Sequence, residues 1–329
     1  MKMDYIKNLL KHHLTFHRQG KEPNIFVFST PRSGTTWLAE LLATQGKFKI
    51  VNEPCNLRVP VVRETLGLSR WESVFFPENR ARLRAYLQAF VDGKDSDLRF
   101  KRETPFTEFW HLKTDRVLFK ILFAGEDDID WFRTQFDAKI VFLVRHPIPV
   151  SLSREQLPRL ESFLVPPYCR QFSGAQLSRA KEIIGASDHF QKAVLDWCLQ
   201  NAIPLRQARS EWVVVSYEQL VVEPEVVIPY LAKALNLRQP DLMTKRLLKA
   251  SRSTGKSSGE SQALLADTAQ RRAERHRLVE RWREMVSLGQ EAAAMEILRT
   301  FGIDMYESGR SMPIEKYLLP RAAGTPQEA

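Results

Sequence analysis

The chain has 329 residues, of which 43% are hydrophobic and 27% charged, and its formal net charge is +10. This length suits one large α/β domain or two smaller ones, and the hydrophobic fraction is sufficient for a core that needs no disulfides. The three cysteines are an odd number without metal-type or redox-type spacing, which argues against a disulfide scaffold and indicates a reducing compartment.

The two ends of the chain differ in character from its middle. Residues 1–22 carry scattered cations and apolar residues, without the continuous apolar stretch of a signal peptide or membrane anchor. Their spacing predicts a helical extension, and we expect a cytoplasmic protein without a transmembrane segment. Residues 321–329 are predicted to be a disordered tail, which leaves residues 23–320 as a single domain.

Apolar runs typical of buried parallel strands recur along the chain, with helical patterns between them. The runs are Ile25–Phe28, Val117–Phe119, Ile140–Val144 and Val213–Val215. Helices are predicted over residues 80–91, 191–209 and 268–286. This alternation predicts an α/β fold with an open, mostly parallel sheet flanked by helices, and ligands bound beyond the carboxyl ends of the strands.

The most informative motif follows the first strand and runs from Thr30 to Thr36. A small, hydroxyl-rich loop before a helix offers N–H groups and hydroxyls to a phosphate, which the helix dipole also favours. A triphosphate loop of the form G-x-x-x-x-G-K-[ST] would have Gly at Ser29 and Lys at Thr35, and its cation is instead found earlier, at Arg32. The alternative is an ordinary strand-turn-helix in which Gly34 merely permits a tight turn.

A resemblance to sulfotransferases is carried by the sequence Pro31-Arg32-Ser33-Gly34-Thr35-Thr36. It is similar to the 5′-phosphosulfate loop of family members of the bacterial, cytosolic or carbohydrate type, which use 3′-phosphoadenosine 5′-phosphosulfate. The resemblance implies a three-layer fold like that of P-loop NTPases and in-line transfer of a sulfuryl group without a metal. It also implies a set of donor-binding residues in the loop and the following helix: Arg32, Ser33, Gly34, Thr35, Thr36 and Trp37.

A second anchor follows the strand that ends at Val144. In sulfotransferases a strand followed by Arg-x-Pro, with a Ser downstream, holds the 3′-phosphate, and the matching residues here are Arg145 and Ser153. An arginine suits a phosphate because two parallel N–H donors meet two oxygens. Without the first loop, Arg145 could equally be a salt-bridge residue.

Two later segments complete the predicted nucleotide site. Tyr217 ends a strand similar to the family strand whose Tyr lies near the adenine, although it could equally cap the core. Residues 251–259 resemble the loop that closes over the cofactor, which implies that Arg252 and Lys256 contact the 3′-phosphate. The usual Gly-x-x-Gly-x-Trp sequence is not reproduced there, so a flexible solvated loop remains the alternative.

The resemblance also implies catalytic residues. Lys120 ends a strand where the family has a catalytic lysine, and Lys120 and Arg32 would stabilise charge that develops during transfer. Many cytosolic members have His two residues later, but this chain has Leu122. Glu53, in a Glu-Pro pair like that of carbohydrate sulfotransferases, is the predicted replacement base, with Glu103 or a histidine as the remaining alternatives.

Two other functions compete with this interpretation. Residues 238–283 contain twelve Lys and Arg against five Asp and Glu, which could suggest a nucleotide-binding or nucleic-acid-binding module without catalysis. No zinc finger, aromatic RNA signature or basic zipper accompanies the charge, so we expect no nucleic-acid partner. The other rival is a kinase or phosphotransferase that uses ATP and Mg²⁺, against which Thr35 argues.

The acceptor is left open as a small molecule, lipid, polyketide or carbohydrate, and the oligomeric state is open too. Several aromatic side chains could line an acceptor pocket or simply pack in the core. They are Trp71, Phe75, Phe76, Phe106, Trp110, Phe163 and Tyr168.

Overall fold

Parallel strands make up both sheets of the structure, a computed structural model that describes residues 14–95, 107–247 and 268–320. The strands are β1 (Phe16–His17), β2 (Ile25–Ser29), β3 (Phe48–Asn52), β4 (Lys113–Thr114), β5 (Arg116–Ile121), β6 (Lys139–Val144) and β7 (Trp212–Ser216). The main sheet has the order β3-β5-β2-β6-β7, whereas β1 pairs with β4 separately. All carboxyl ends of the main sheet therefore lie along one edge.

Twelve α-helices among the described residues surround these strands. They are α1 (Thr35–Ala43), α2 (Pro60–Leu66), α3 (Arg80–Val91), α4 (Ile129–Phe136), α5 (Pro147–Leu152), α6 (Gly174–Ala186), α7 (His189–Gln207), α8 (Tyr217–Val222), α9 (Pro224–Ala234), α10 (Pro240–Leu247), α11 (Thr268–Glu280) and α12 (Leu288–Thr300). None of them is both long and apolar enough to cross a bilayer.

The central strand β2 explains how the sequence builds three layers. All five of its residues are buried, so both of its faces must be apolar. Phe26 and Phe28 point into one core with Phe132 of α4. Ile25 and Val27 point into the opposite core, which contains the apolar face of α1. Alternation of side chains along a strand thus places one helical layer on each face of the sheet.

The predicted α/β class with a mostly parallel sheet is confirmed, and its four predicted strands are all present. The helix over residues 80–91 has the predicted bounds, and α7 begins and ends two residues before the predicted helix. The predicted helix over residues 268–286 ends at Glu280, where one 3-10 turn follows. The expected N-terminal helix is wrong for Phe16–His17, which form β1. Residues 1–13 and 321–329 lie outside the described part.

Candidate active site

The loop between β2 and α1 lies at the carboxyl edge of the sheet, beside the ends of β5 and β6. Two of its residues have left-handed backbone conformations, Arg32 with φ 74° and Gly34 with φ 87°. A Cβ on Gly34 would lie 2.6 Å from Cδ2 of Tyr217, so a side chain larger than hydrogen is excluded there. The loop therefore needs Gly34 for its backbone conformation and for the close approach of Tyr217.

Hydroxyl groups line the inside of this loop. Ser33 is fully buried, and its hydroxyl lies 2.6 Å from that of Thr30, so these two groups satisfy each other. Thr35 is 3% exposed, and its hydroxyl has no hydrogen-bond partner among the described residues. A buried hydroxyl without a hydrogen-bond partner lowers the stability of a protein, but it suits a binding site in which the ligand supplies that partner. Thr36 is half-buried and Arg32 is exposed.

Arg145 and Tyr217 leave the sheet side by side because Val144 of β6 is paired with Ser216 of β7. The Arg145 guanidinium lies 4.3 Å from the centroid of the Tyr217 ring, and its Nη1 donates to the carbonyl of Arg32 at 3.1 Å. The Tyr217 ring is 5.8 Å from the ring of Trp37, the residue expected to flank a base. The structure thus brings together three of the predicted nucleotide residues from β6, β7 and α1.

Ser153, the predicted partner of Arg145, lies half-buried at the end of α5. Its hydroxyl donates to the carbonyl of Val150 at 2.8 Å. To donate to a phosphate, this hydroxyl must rotate away from the carbonyl, because a serine has one hydroxyl proton.

Glu53 and Lys120 form an ion pair at the ends of β3 and β5. Their distance from Nζ to Oε1 is 2.9 Å, and the side chains of Lys120 and Glu53 are 5% and 24% exposed. The register pairs Asn52 with Lys120, so the next residue along β3 emerges beside the lysine. Glu53 adopts φ 52°, an uncommon conformation for a residue with a side chain, and Asn56 Nδ2 donates to its Oε2 at 3.0 Å. Both carboxylate oxygens are therefore held.

These two groups of residues lie on different halves of the sheet. Arg145 and Tyr217 belong to the β6–β7 half, whereas Glu53 and Lys120 belong to the β3–β5 half. The β2–α1 loop is attached to the strand between the halves. The carboxyl edge of the sheet thus has residues suited to phosphate binding on the β6–β7 half and a carboxylate beside a lysine on the β3–β5 half.

His146 is buried completely, so its ring cannot reach a ligand at this edge. It stacks on Trp282 with a centroid separation of 4.5 Å and 18° between planes, and its Nδ1 accepts from the N–H of Ile148. Burial, together with the neighbouring charge of Arg145, lowers the pKa of His146 to about 3. His146 is therefore a neutral helix cap at the start of α5.

Three of the seven candidate acceptor aromatics are core residues. Phe75, Phe163 and Tyr168 are almost completely buried and pack against one another. Trp71 is half-buried and lies 5.3 Å from the ring of Phe123, near the end of β5. The indole N–H of Trp110 donates to the hydroxyl of Thr15. Three predicted residues, Arg252, Lys256 and Glu103, and the candidate Phe106 lie outside the described residues.

Sequence reasoning missed three residues that support the site. They are Asn56, which holds Glu53, and Trp197 and Tyr306, which lie in the surroundings of Arg145 and His146. Asn56 could have been noticed because it follows Glu53 by three residues, the spacing of a turn. Trp197 and Tyr306 reach the site from distant helical and C-terminal segments, and no local pattern signals that contact.

A model of the sulfotransferase family matches residues 23–241, more than half of the chain. The chain therefore belongs to the sulfotransferase family, and its reaction is sulfuryl transfer. The match covers the β2–α1 loop, Glu53, Lys120, Arg145 and Tyr217. No curated protein sequence matches the chain significantly.

Among solved structures, the sulfotransferase domain of the olefin synthase from Synechococcus PCC 7002 is similar, with 20% identity and a TM-score of 0.41 over 88% of this chain and 98% of that one. The sulfotransferase domain from the curacin biosynthetic pathway has 17% identity and a TM-score of 0.42 over 87% and 99%. Mouse sulfotransferase SULT7A1, solved in complex with PAP, has 15% identity and a TM-score of 0.41 over 92% and 90%.

Proposed function

We propose that the protein transfers a sulfuryl group from 3′-phosphoadenosine 5′-phosphosulfate to a hydroxyl or amine of an organic acceptor. The observation that carries this proposal is the buried Thr35 hydroxyl, which has no partner among the described residues and lies at the N-terminus of α1. A donor phosphate would give this hydroxyl an acceptor and would meet the dipole of the helix.

The residues around Thr35 suit a nucleotide with phosphates on both sides of its ribose. The N–H groups and hydroxyls of Thr35 and Thr36 would hold the 5′-phosphosulfate, with Arg32 as the cation of the loop. Ser33 would support the loop, because its hydroxyl and its N–H are bonded to Thr30. Arg145 would bind the 3′-phosphate as a planar fork of donors, with Ser153 beside it. Its Nε is buried and has no partner among the described residues. Trp37 and Tyr217 would flank the adenine.

The donor supplies an activated sulfuryl group, and the chain supplies positioning and charge. Glu53 would accept the acceptor proton as the acceptor oxygen or nitrogen forms its bond to sulfur. The bond from sulfur to the bridging oxygen breaks at the same time, and 3′-phosphoadenosine 5′-phosphate leaves. Lys120 and Arg32 would donate to the oxygens on which negative charge grows.

The ion pair between Lys120 and Glu53 supports these roles, in which Glu53 accepts a proton and Lys120 donates to an oxygen on which negative charge grows. In the pair, Lys120 holds one carboxylate oxygen and Asn56 holds the other, so the carboxylate has a fixed orientation. When Glu53 takes up a proton, its hold on Lys120 weakens and the ammonium is released toward the leaving oxygen. One proton transfer would thus both activate the acceptor and free Lys120 to stabilise the leaving oxygen.

We further propose that the acceptor binds on the β3–β5 half of the edge, near Trp71 and Phe123, as a small molecule, lipid, polyketide or carbohydrate. Glu53 lies on this half, whereas Arg145 and Tyr217 lie on the other half. A cytoplasmic location is supported by the three cysteines, which are all buried and free.

Ligand-induced thermal stabilisation tests the donor assignment. A ligand that binds the folded state raises the melting temperature by mass action. We expect 3′-phosphoadenosine 5′-phosphate to stabilise the protein, whereas ATP with Mg²⁺ and a short oligonucleotide should have much smaller effects. Arg145→Ala should remove most of the bisphosphate shift. Stabilisation by ATP with Mg²⁺ and not by the bisphosphate would reject this function in favour of a phosphotransferase.

A further inference from the structure

The peptide bond between Arg145 and His146 is held at both of its polar atoms by buried side chains. The carbonyl oxygen of Arg145 accepts from Nε1 of Trp197 at 3.1 Å, and the N–H of His146 donates to Oε1 of Glu218 at 2.8 Å. Trp197 is fully buried and Glu218 is 1% exposed. The peptide plane therefore has one orientation at the point where Arg145 leaves the sheet.

The second oxygen of Glu218 ties this point to two further segments. Oε2 accepts from the hydroxyl of Ser216, at the end of β7, and from the hydroxyl of Tyr306, each at 2.9 Å. Burial raises the pKa of Glu218, while the hydrogen bonds and the charge of Arg145 act in the opposite direction. Burial and the charge of Glu218 raise the pKa of Tyr306 well above its usual value, so Tyr306 remains a donor.

Glu218 and its neighbour Tyr217 contact Arg145 at its backbone and at its guanidinium, respectively. The carboxylate of Glu218 binds the backbone immediately after Arg145, while the ring of Tyr217 lies 4.3 Å beneath the guanidinium. Both residues belong to the first turn of α8. A shift of this turn would therefore move the backbone next to Arg145 and the Arg145 guanidinium together.

We propose that Glu218 is a positioning residue for Arg145, which it orients through the N–H of His146, with Trp197 and Tyr306 completing the support. This inference rests on the proposed function, in which Arg145 binds the 3′-phosphate of the donor. Glu218 touches neither donor nor acceptor. Its contribution is the direction in which the guanidinium points, and hence the preference for a 3′,5′-bisphosphate over a 5′-monophosphate.

The test compares the dissociation constants of 3′-phosphoadenosine 5′-phosphate and adenosine 5′-monophosphate, measured by calorimetry at one salt concentration. We expect Glu218→Ala to weaken bisphosphate binding at least tenfold and monophosphate binding less than threefold. Glu218→Gln keeps an oxygen for the N–H of His146, so it should stay within threefold of the wild type. Equal losses in Glu218→Ala and Glu218→Gln would show that charge, and not position, matters, and would overturn the proposal.

Asp127→Asn is the matched control. Asp127 is a buried carboxylate in the turn after β5, where it is paired with Arg80. Its replacement should change stability but leave the ratio of the two dissociation constants unchanged. An unchanged ratio in Glu218→Ala as well would mean that Glu218 acts only on stability, and the proposal would be wrong.

Amide hydrogen exchange gives a readout that does not depend on any nucleotide. We expect exchange in residues 145–148 to be at least tenfold faster in Glu218→Ala than in the wild type, with no such change in Asp127→Asn. If the wild type shows no preference for the bisphosphate, the proposed function fails, and exchange alone then decides the positioning role. Unchanged exchange in Glu218→Ala would overturn that role.

Should Glu218→Ala fail to fold, Tyr306→Phe and Trp197→Phe carry the same test. Tyr306→Phe removes the donor and keeps the ring, and Trp197→Phe replaces the indole with a smaller aromatic ring that has no donor. Tyr306→Phe should weaken bisphosphate binding about threefold and leave monophosphate binding unchanged, and Trp197→Phe should act in the same direction. Losses that are equal for the two nucleotides in both variants would contradict the proposal.

Discussion

Glu53 and Lys120 are 67 residues apart in the chain, yet the Lys120 ammonium donates to the Glu53 carboxylate at 2.9 Å. Strand register creates this contact, because Asn52 and Lys120 are paired across β3 and β5. The left-handed turn at Glu53 then directs its side chain toward the neighbouring strand rather than along its own. A local backbone conformation that costs about 1 kcal/mol is thus found at the proposed base.

Glu53→Gln should keep bisphosphate binding but lower the rate of sulfuryl transfer by about 100-fold or more, because an amide cannot accept the acceptor proton. The rate is measured with labelled donor and a metabolite extract as the source of acceptor, and is normalised to the fraction of protein that binds the bisphosphate. Glu64→Gln, on the exposed face of α2, is the control and should leave the rate unchanged. Full activity in Glu53→Gln would reject Glu53 as the base.

Thr35→Val should weaken bisphosphate binding at least tenfold, since a hydrogen bond to a charged group contributes about 1.5–3 kcal/mol. The same substitution should not lower the free energy of unfolding, because the Thr35 hydroxyl has no partner in the described structure. Calorimetry and urea denaturation measure the two quantities. For contrast, Thr30→Val breaks the bond to Ser33 and should cost about 1 kcal/mol of stability. A stability loss in Thr35→Val as large as that in Thr30→Val would contradict the argument.

Gly34→Ala should destabilise the protein by about 2 kcal/mol or more, because the new Cβ meets the Tyr217 ring at 2.6 Å and the residue has φ 87°. Urea denaturation measures the loss. Gly185→Ala is the matched control, since Gly185 lies in α6 and a Cβ there has nothing within 4 Å. We expect that control to be neutral or to stabilise by up to about 1 kcal/mol. Equal effects of the two substitutions would show that the close approach of Tyr217 does not matter.

We expect the lowered pKa of His146 to make the free energy of unfolding depend on pH. Its pKa is lowered to about 3 in the folded protein from the usual value of 6.5, chiefly by burial, so the unfolded chain binds more protons between these values. The neutral imidazole therefore contributes stability above pH 6.5, and this contribution is lost as the pH falls toward 3. His146→Asn keeps a cap for Ile148 without a titrating ring.

The difference in unfolding free energy between the wild type and His146→Asn should shift against the wild type by about 1 kcal/mol per pH unit from pH 6 to pH 4. Urea denaturation at a series of pH values measures it. A difference that does not change with pH would mean that His146 is not held neutral by its surroundings.

The sequence was most informative where strong local chemistry coincides with a strand end. The apolar runs before Arg32, Lys120 and Arg145 located three strands and, with them, the edge where these residues meet. The strand β3 was harder to predict, because Lys49 interrupts its apolar run. That lysine is nevertheless largely buried, and its ammonium forms an ion pair with Asp95.

The supporting residues could not be predicted, because their roles depend on contacts between distant segments. Glu218 follows Tyr217 directly, but its partners His146 and Tyr306 are 72 and 88 residues away in the chain. His146 follows Arg145 directly, but its side chain does not lie beside that of the arginine. Side chains of consecutive residues point in different directions where a strand ends, and this one turns inward to Trp282.

The separation of the proposed donor and acceptor residues on opposite sides of β2 has an evolutionary consequence. Substitutions in the segments that follow β3 and β5 can change which acceptor is recognised without disturbing the strands that carry Arg145 and Tyr217. New acceptors can thus be acquired while the donor is retained, so that divergence among descendants of this chain would be concentrated on one side of its central strand.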